Sequence, residues 1–416
     1  MNEKKTGFKI GPFLTKYTMI IALVLVYILF SILTDGRLLL AQNMSNLLVQ
    51  NGYVLVLACG MLLCILTGGN IDLSVGSVIC LTGGIAAVMM KDYNANPYFT
   101  ILLCVVIGLA CGLWHGFWIG HIRIPPFITT LGGMFIFRGL GRLILDSKTV
   151  APTGDVWTKF SEFFNSYITI PGLDGAMTVN SKGKEVWEYL SVDSPFGTIK
   201  AWSPLIAGAI IFVILMVLTV RSRSVKAKRG YRQNSALMDY GSKVVIGIVI
   251  MWYCLNLSKY KGINVMLLWV FGICLVYNFI TSKTTFGRYF YAVGGNEKAT
   301  KLSGIDTNKV YFIAYASMGL LAGLCGMLCL ARVGSVSGAT GTSFEMDAIG
   351  ACFIGGASAY GGSGKISGVI IGALLLGIIN MGMSILGLGD SWQYVVKGGV
   401  LLVAVIFDVV SSRKGK

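Results

Sequence analysis

Residues Gly361-Gly-Ser-Gly-Lys-Ile-Ser367 carry nearly the chemistry of a phosphate-binding loop, in which glycine N–H groups and a lysine hold a nucleotide. The pattern G-x-x-x-x-G-K-[ST] fails twice, because Ile366 follows Lys365 and Ala359 stands five residues before Gly364. No G-x-S-x-G elbow and no H-E-x-x-H helix occurs. Two histidines, His115 and His121, are too few for a proton relay or a metal site. The ten cysteines all lie in apolar stretches without a C-x-x-C pair, so they read as small packing residues rather than disulfides or zinc ligands. The chain thus offers no catalytic residue, metal site or cofactor of its own. If ATP and Mg drive its work, a separate chain holds them.

Polar groups inside apolar sequence are the next candidates, because they are costly there and usually functional. Asp72 lies in Thr67-Gly-Gly-Asn-Ile-Asp-Leu-Ser-Val-Gly-Ser77, just before the apolar run Leu73–Met90. Its carboxylate is placed to accept backbone N–H bonds at a helix start; the alternative is direct contact with a solute or ion. A second cluster, Gly355 to Gly368, interrupts apolar sequence in the other half. Irregular backbone at membrane depth is tolerated only where it is buried or lines a cavity. Close helix packing explains many of the 54 glycines, but not Asn70 and Asp72. Paired interruptions in matching halves are typical of transporters. Asn70, Asp72, Ser74, Gly355, Gly356, Ser358 and Asn380 are the polar and glycine candidates here. Asn380 and Gln393 also suit hydrogen bonds between helices, while Arg138, Arg142 and Lys397 suit snorkelling or pairing with acids.

A third candidate engages a macromolecule. Phe286 to Ile305 is a polar, basic, glycine-bracketed insert between two apolar runs. From Glu297, Ala299, Leu302 and Ile305 recur at three-residue steps, and Lys298, Lys301 and Asn308 fall on the polar side. That predicts a short amphipathic helix at the membrane surface, suited to docking another protein.

These groups must be positioned by membrane helices. The 416 residues are 55% hydrophobic and 12% charged, with mean hydropathy +0.74; soluble domains carry about 25% charged residues. The predicted spans are Tyr17–Leu33, Leu47–Thr67, Leu73–Met90, Phe99–Gly120, Phe127–Leu145, Trp202–Val220, Val244–Leu257, Ile263–Ile280, Val310–Ala331, Ala348–Tyr360, Ile366–Leu386 and Tyr394–Val410. The seventh and tenth fall short of the roughly 17 residues a crossing needs. No cleavable signal peptide is expected, since the first run has no small-residue cleavage site. With the N terminus inside, 21 of the 34 Lys and Arg fall in inner loops, from Lys4, Lys5, Lys9 and Lys16 through Arg123, the Arg221–Lys243 cluster with Arg232, and Lys298, to Arg413 and Lys416. The outer loops hold ten, matched by acids, as the positive-inside bias requires. The net charge of +16 is thereby explained without nucleic acid. A full tenth crossing keeps the C terminus inside, which favours twelve spans within a range of 10–12. The expected architecture is an all-α polytopic membrane protein, one domain over 1–416, with a polar insert at 146–201 outside. That insert, carrying Trp157, Phe163, Phe164, Trp187 and Tyr189, suits an amphipathic cap, a platform for an external partner, or both.

Three motifs carry a family resemblance: Gly69-Asn-Ile-Asp-Leu-Ser-Val-Gly-Ser77, Gly294-Gly-Asn-Glu-Lys-Ala-Thr-Lys-Leu-Ser-Gly304, and the run from Glu345 through Lys397. They resemble the permease subunit of bacterial ATP-binding-cassette sugar importers, of the ribose, xylose and multiple-monosaccharide type. Length, the extra polar segment, Thr34-Asp-Gly36 and Asp390-Ser-Trp-Gln393 resemble the xylose and multiple-monosaccharide branch. The sequence departs from that pattern at Asn70, where relatives often carry a small residue or histidine. The resemblance implies a homodimer in the bacterial inner membrane, with both termini cytoplasmic and a fold related to the vitamin B12 importer. A cytoplasmic ATPase pair and an external sugar-binding protein are the implied partners, with membrane lipids around them. A role in lining or gating a path comes to Asn70, Asp72, Ser74, Gly355, Gly356, Ser358 and Asn380 from this resemblance. It further implies that Gly287–Gly304 couples to the ATPase, with Gly287, Arg288, Gly294, Gly295, Asn296, Glu297, Ala299, Leu302 and Gly304 as its residues. A secondary transporter or channel for a small polar solute is the rival, permitted by the broken helices and Asp72. A membrane enzyme lacks a nucleophile–base pair.

Overall fold

The computed structural model describes residues 10–179, 185–195, 197–231 and 236–414. Lys4, Lys5, Lys9, Arg232 and Lys416, which enter the charge asymmetry, lie outside the described residues. The chain runs through α1 (Ile10–Leu33), α2 (Ala41–Gln50), α3 (Gly52–Leu66), α4 (Val75–Lys91), α5 (Pro97–Gly116), α6 (Pro126–Ile144) and α7 (Asp155–Asn165). Strands β1 (Tyr167–Ile168), β2 (Gly175–Val179), β3 (Glu185–Tyr189), β4 (Val192–Ser194) and β5 (Gly197–Ile199) follow. Then come α8 (Ser203–Lys228), α9 (Ala236–Ser258), β6 (Ile263–Asn264), α10 (Val265–Lys283), α11 (Thr285–Gly295) and α12 (Glu297–Leu302). The last four helices are α13 (Thr307–Val333), α14 (Phe344–Ile354), α15 (Ile366–Ile385) and α16 (Asp390–Lys414). Among the described residues, eight helical segments are long and apolar enough to cross a membrane, and three shorter apolar stretches accompany them. The protein is a multi-pass membrane protein.

Two expectations need correction. The chain is mostly but not wholly helical, because the 146–201 insert carries, beside α7, two antiparallel pairs: β2 with β3, and β4 with β5. The seventh segment is not short: α9 has 23 residues, since Tyr240, Gly241 and Ser242, which read as loop, continue the helix.

Contacts divide the chain into two compact units. One comprises Gly36–Val49 and Ser166–Leu267. Within it α8 and α9 pack antiparallel, Gly208 against Cys254 and Gly247 against Phe212. Buried Asp174 accepts backbone N–H bonds from Ile170, Trp202 and Ser203, fastening the β2–β3 hairpin to the start of α8.

The other unit comprises Met1–Asp35, Gln50–Asn165 and Leu268–Lys416, and α13 is its axis. This 27-residue helix is about 40 Å long at 1.5 Å per residue. Gly108, Gly112, Gly116 and Gly120 of α5 and its terminal turn, four residues apart, face it on one side. A methyl group added at Gly112 would sit 2.4 Å from the Tyr315 carbonyl oxygen, and one at Gly319 2.4 Å from that of Gly108. Backbone therefore packs on backbone, as small residues permit between membrane helices. On another face, Gly326 meets Ile79, Thr82 and Gly83 of α4.

After α13 the chain enters the unit as irregular backbone. Gly334, with φ of 79°, ends the helix. Val336 then exchanges both backbone hydrogen bonds with Val150 at 2.9 Å. Val336 packs on Gly83, the Ser337 carbonyl accepts from Cys80 Sγ, and Gly341 presses on Gly76. Arg138 of α6 bonds the carbonyls of Gly338 and Thr340. The segment thus follows α4 from Gly83 to Gly76, about 10 Å along the helix, with contacts to both α4 and α6. Val336 and Gly341 are buried and Ala339 and Thr342 exposed, with Arg138 engaging two carbonyls between them. Here α14 begins, with only 11 residues. The segment expected to cross at Ala348–Tyr360 is a helix only to Ile354, with turns after it.

Candidate functional site: a glycine junction at a surface helix

Thr284 caps α11 by accepting the Gly287 N–H at 2.9 Å. Gly287 is buried where a methyl would lie 2.0 Å from the Ile280 carbonyl, so the corner from α10 requires glycine. Arg288 points outward. At Asn296 the backbone extends, and its side chain caps α12 by accepting the Ala299 N–H at 3.0 Å. Gly304, with φ of 83°, turns the chain into α13, which Asp306 caps. The short amphipathic helix expected from Glu297 is α12, and a second helix, α11, precedes it, separated at Asn296. Ile305 lies in the linker and Asn308 in α13, because caps at both ends stop α12 after six residues.

The six-residue helix turns the predicted apolar positions Ala299 and Leu302 outward, as a docking surface requires. Thr300 is buried, while Ala299 and Leu302 face out, Leu302 at 89% exposure, beside exposed Lys298 and Lys301. An apolar side chain that the rest of its own unit leaves uncovered is a contact surface in waiting. Glu297 is not part of it. Its Oε1 lies 2.6 Å from Arg123 Nη1, and its Oε2 accepts the Tyr311 hydroxyl at 3.1 Å. Arg123, in the α5–α6 loop with φ of 65°, also donates to Thr307 Oγ1 at 2.8 Å and to Asn308 Oδ1, with its guanidinium 5.1 Å over the Tyr311 ring. Burial pushes the Glu297 carboxyl up, but the hydrogen bond and charge of Arg123, with Tyr311 and Thr307, outweigh it and hold the group below its ordinary 4.5. Arg123 read from sequence only as one more inner charge; its place beside Pro125-Pro126 was the available signal.

Behind this helix the three sequence motifs meet. A methyl at Gly294 would lie 1.9 Å from the Leu66 carbonyl oxygen and 2.5 Å from the Gly362 nitrogen. Gly362 N donates to Leu66 O at 3.1 Å. Gly69 presses on the Ala359 carbonyl and Gly361 on Gly68, while the Tyr291 hydroxyl donates to Gly364 O at 2.9 Å. Gly355 and Gly368 close the same cluster against each other, and Gly295 and Gly356 lie exposed at its edge. Ser358 shapes the turn: its N–H donates to Ser363 O at 2.9 Å and its carbonyl accepts from Gly361 N at 3.0 Å. The phosphate-loop-like stretch is thus a packing element whose Gly362 N–H is already engaged.

The path candidates divide. Asp72, 1% exposed, accepts the Ser74 N–H at 2.8 Å and the Ser74 hydroxyl at 2.7 Å. It anchors the turn leading into α4 rather than capping the helix as expected, because α4 starts at Val75 and Ser74 takes the cap position. Half-buried Asn70 donates to Thr67 O at 3.1 Å, closing the end of α3. Asn380, on α15, lies about 21 Å along that helix from the cluster, its side-chain oxygen buried without a hydrogen-bond partner. The residue the sequence missed is Asp347. It is 2% exposed, pairs with Lys397 Nζ at 2.9 Å and accepts the Tyr53 hydroxyl at 2.8 Å. An acid heading an apolar 11-residue helix, with one lysine in the last span, was the signal.

Interrupted, glycine-packed membrane segments joined to a surface helix define a membrane permease as the class. The chain belongs to the family described as branched-chain amino acid transport system / permease component, which it matches over residues 43–405. It is 36% identical over 402 residues to the xylose transport system permease protein of Haemophilus influenzae, covering 96% of this chain and 97% of that one. Identity is 32% over 398 residues to the xylose transport system permease protein of Escherichia coli K12, covering 96% and 92%. The ribose import permease protein of Escherichia coli K12 is 30% identical over 370 residues, covering 88% and 85%. No solved structure matches.

Proposed function

We propose that the chain is the permease subunit of an ATP-binding-cassette importer in a bacterial inner membrane, moving a monosaccharide, a pentose such as xylose before a hexose. The relatives that match almost end to end are named for xylose and ribose, which favours sugar over the amino acids of the family description. An external binding protein delivers the sugar, and a separate ATPase hydrolyses ATP. Two copies form the path, each crossing the membrane twelve times in a fold related to the vitamin B12 importer, with both termini in the cytoplasm. One observation carries the coupling reading: α11–α12 presents exposed Leu302 on one side and Gly294, seated on Leu66 and Gly362, on the other. A push on α12 is delivered by rigid backbone contact to both interrupted segments, Thr67–Ser77 and Gly355–Gly368. Packed backbone transmits such shifts because it cannot compress.

The test is reconstitution of this chain, its ATPase and its binding protein in proteoliposomes, with radiolabelled D-xylose outside and ATP within. ATP-dependent uptake, competed by unlabelled D-xylose and not by L-leucine, is expected. Uptake by the chain alone, driven by an ion gradient, would establish the secondary-transporter rival instead.

A further inference from the structure

We propose that the recess between α14 and α16 is a binding station for the sugar inside the permease, built on the Asp347–Lys397 pair. The inference rests on the sugar-importer reading above. Asp347, Lys397, Thr342, Gln393 and Tyr394 line a recess of about 80 Å³ that is open on one side. Its depth follows from the packing around it. Ile71 meets Tyr315 and Gly83 meets Gly326, so α4 and α13 run in the same direction. Gly76, seven residues before Gly83, is then level with Gly319, the middle of α13. Gly341 and Glu345 touch Gly76, while Tyr53, which bonds Asp347, accepts at its carbonyl from Cys325 Sγ. Asp347 accordingly sits opposite the middle third of α13.

An ion pair at that depth is expensive and marks a solute or ion route. The groups present also suit one kind of solute. Sugar hydroxyls donate and accept at once. Asp347 supplies acceptors and Lys397 donors; the Thr342 hydroxyl, which donates to Ala339 O, is left to accept, and the Gln393 amide, with one N–H on Leu388 O, keeps a second N–H and its oxygen. Asp347 Oδ1 lies 2.9 Å from Lys397 Nζ yet out of line for a hydrogen bond, which leaves a buried acceptor unused. The half-exposed Tyr394 ring offers a flat apolar face to the C–H side of a pyranose. Paired charges cancel, which suits a neutral ligand. Much of the recess is open, so binding is weak enough to release, as conduction demands.

The experiment uses the complete reconstituted transporter and D-xylose. Gln393→Ala and Tyr394→Ala remove lining groups on the open side and spare the buried pair. Each is expected to lower ATP-driven D-xylose uptake about tenfold while ATP hydrolysis stimulated by xylose-loaded binding protein stays within about twofold of the parent. Tyr394→Phe should retain most uptake, because the ring face is kept. Unchanged uptake and an unchanged xylose-to-ribose ratio in both alanine variants would overturn the proposal. So would uptake and hydrolysis falling together, which marks a role in the conformational cycle alone. If the parent transporter itself fails to import D-xylose with ATP, the importer reading is what fails, and this site falls with it.

Discussion

Glu297 shows how a side chain can belong to a recognition motif without making the contact. The residue was legible in sequence as part of the insert, but Arg123 lies 174 positions away, and no periodicity links a loop arginine to a distant helix cap. The pair fixes the angle at which Leu302 is offered, so Arg123→Ala should reduce ATP-driven import several-fold. The pair is more than a third exposed, so the cost in stability should stay below about 1 kcal/mol, read as a small change in detergent melting temperature. Reversal, Arg123→Glu with Glu297→Arg, should recover part of the import; a double variant no better than either single one would count against the clamp. The pH dependence follows from the lowered carboxyl. Its stabilisation is complete above the ordinary value of 4.5 and is lost as pH falls through the lower folded value. Melting temperature should therefore be no more pH-sensitive in Glu297→Gln than in the parent between about pH 6 and 8, the two diverging only in acid.

At the scale of elements, close helix contact and irregular backbone differ in how plainly a sequence announces them. Glycines four apart at 108, 112, 116 and 120 were visible, and only their partner, α13, was not. The inward-running segment from Gly334 to Ser343 was invisible as such, because non-helical backbone leaves no hydrophobic period. It made α14 look like a weak span, and the hairpins of the insert were hidden by a polar composition that suits loop and strand alike. Substitution separates packing from propensity. At Gly323 a methyl would lie 2.9 Å from the Cys104 carbonyl and 3.0 Å from the Gly108 Cα, both backbone. Gly323→Leu should therefore cost at least the 1–3 kcal/mol or so of overpacking. The expected readout is a clear loss of melting temperature and of monodisperse protein in detergent. Gly132 and Gly139 on α6 have nothing within 4 Å of an added methyl; alanine there should be neutral, or stabilising by up to about 1 kcal/mol. Equal losses at all three positions would show that glycine serves helix flexibility rather than contact.

For the whole molecule, sidedness decides whether the parts form an importer. The basic excess predicts the α8–α9 loop, α11–α12 and both termini on one side of the membrane, and the 146–201 insert on the other. A molecule with Leu302 facing out could not meet an ATPase at all. The chain is well suited to a direct measurement, because all ten native cysteines are free and buried, leaving little background for a membrane-impermeant maleimide. Met177→Cys, at a site 58% exposed in β2, should be labelled on intact spheroplasts. Lys301→Cys and Leu302→Cys, both at exposed positions of α12, should be labelled only after the membrane is opened. Co-expressed ATPase should then protect Leu302→Cys while leaving Met177→Cys reactive. Protection singles out the docking face, since sidedness alone would also hold for a secondary transporter. Labelling of Leu302→Cys from outside would invert the topology. Accessibility from inside with no protection would leave the permease oriented as proposed but would remove α12 as the ATPase contact.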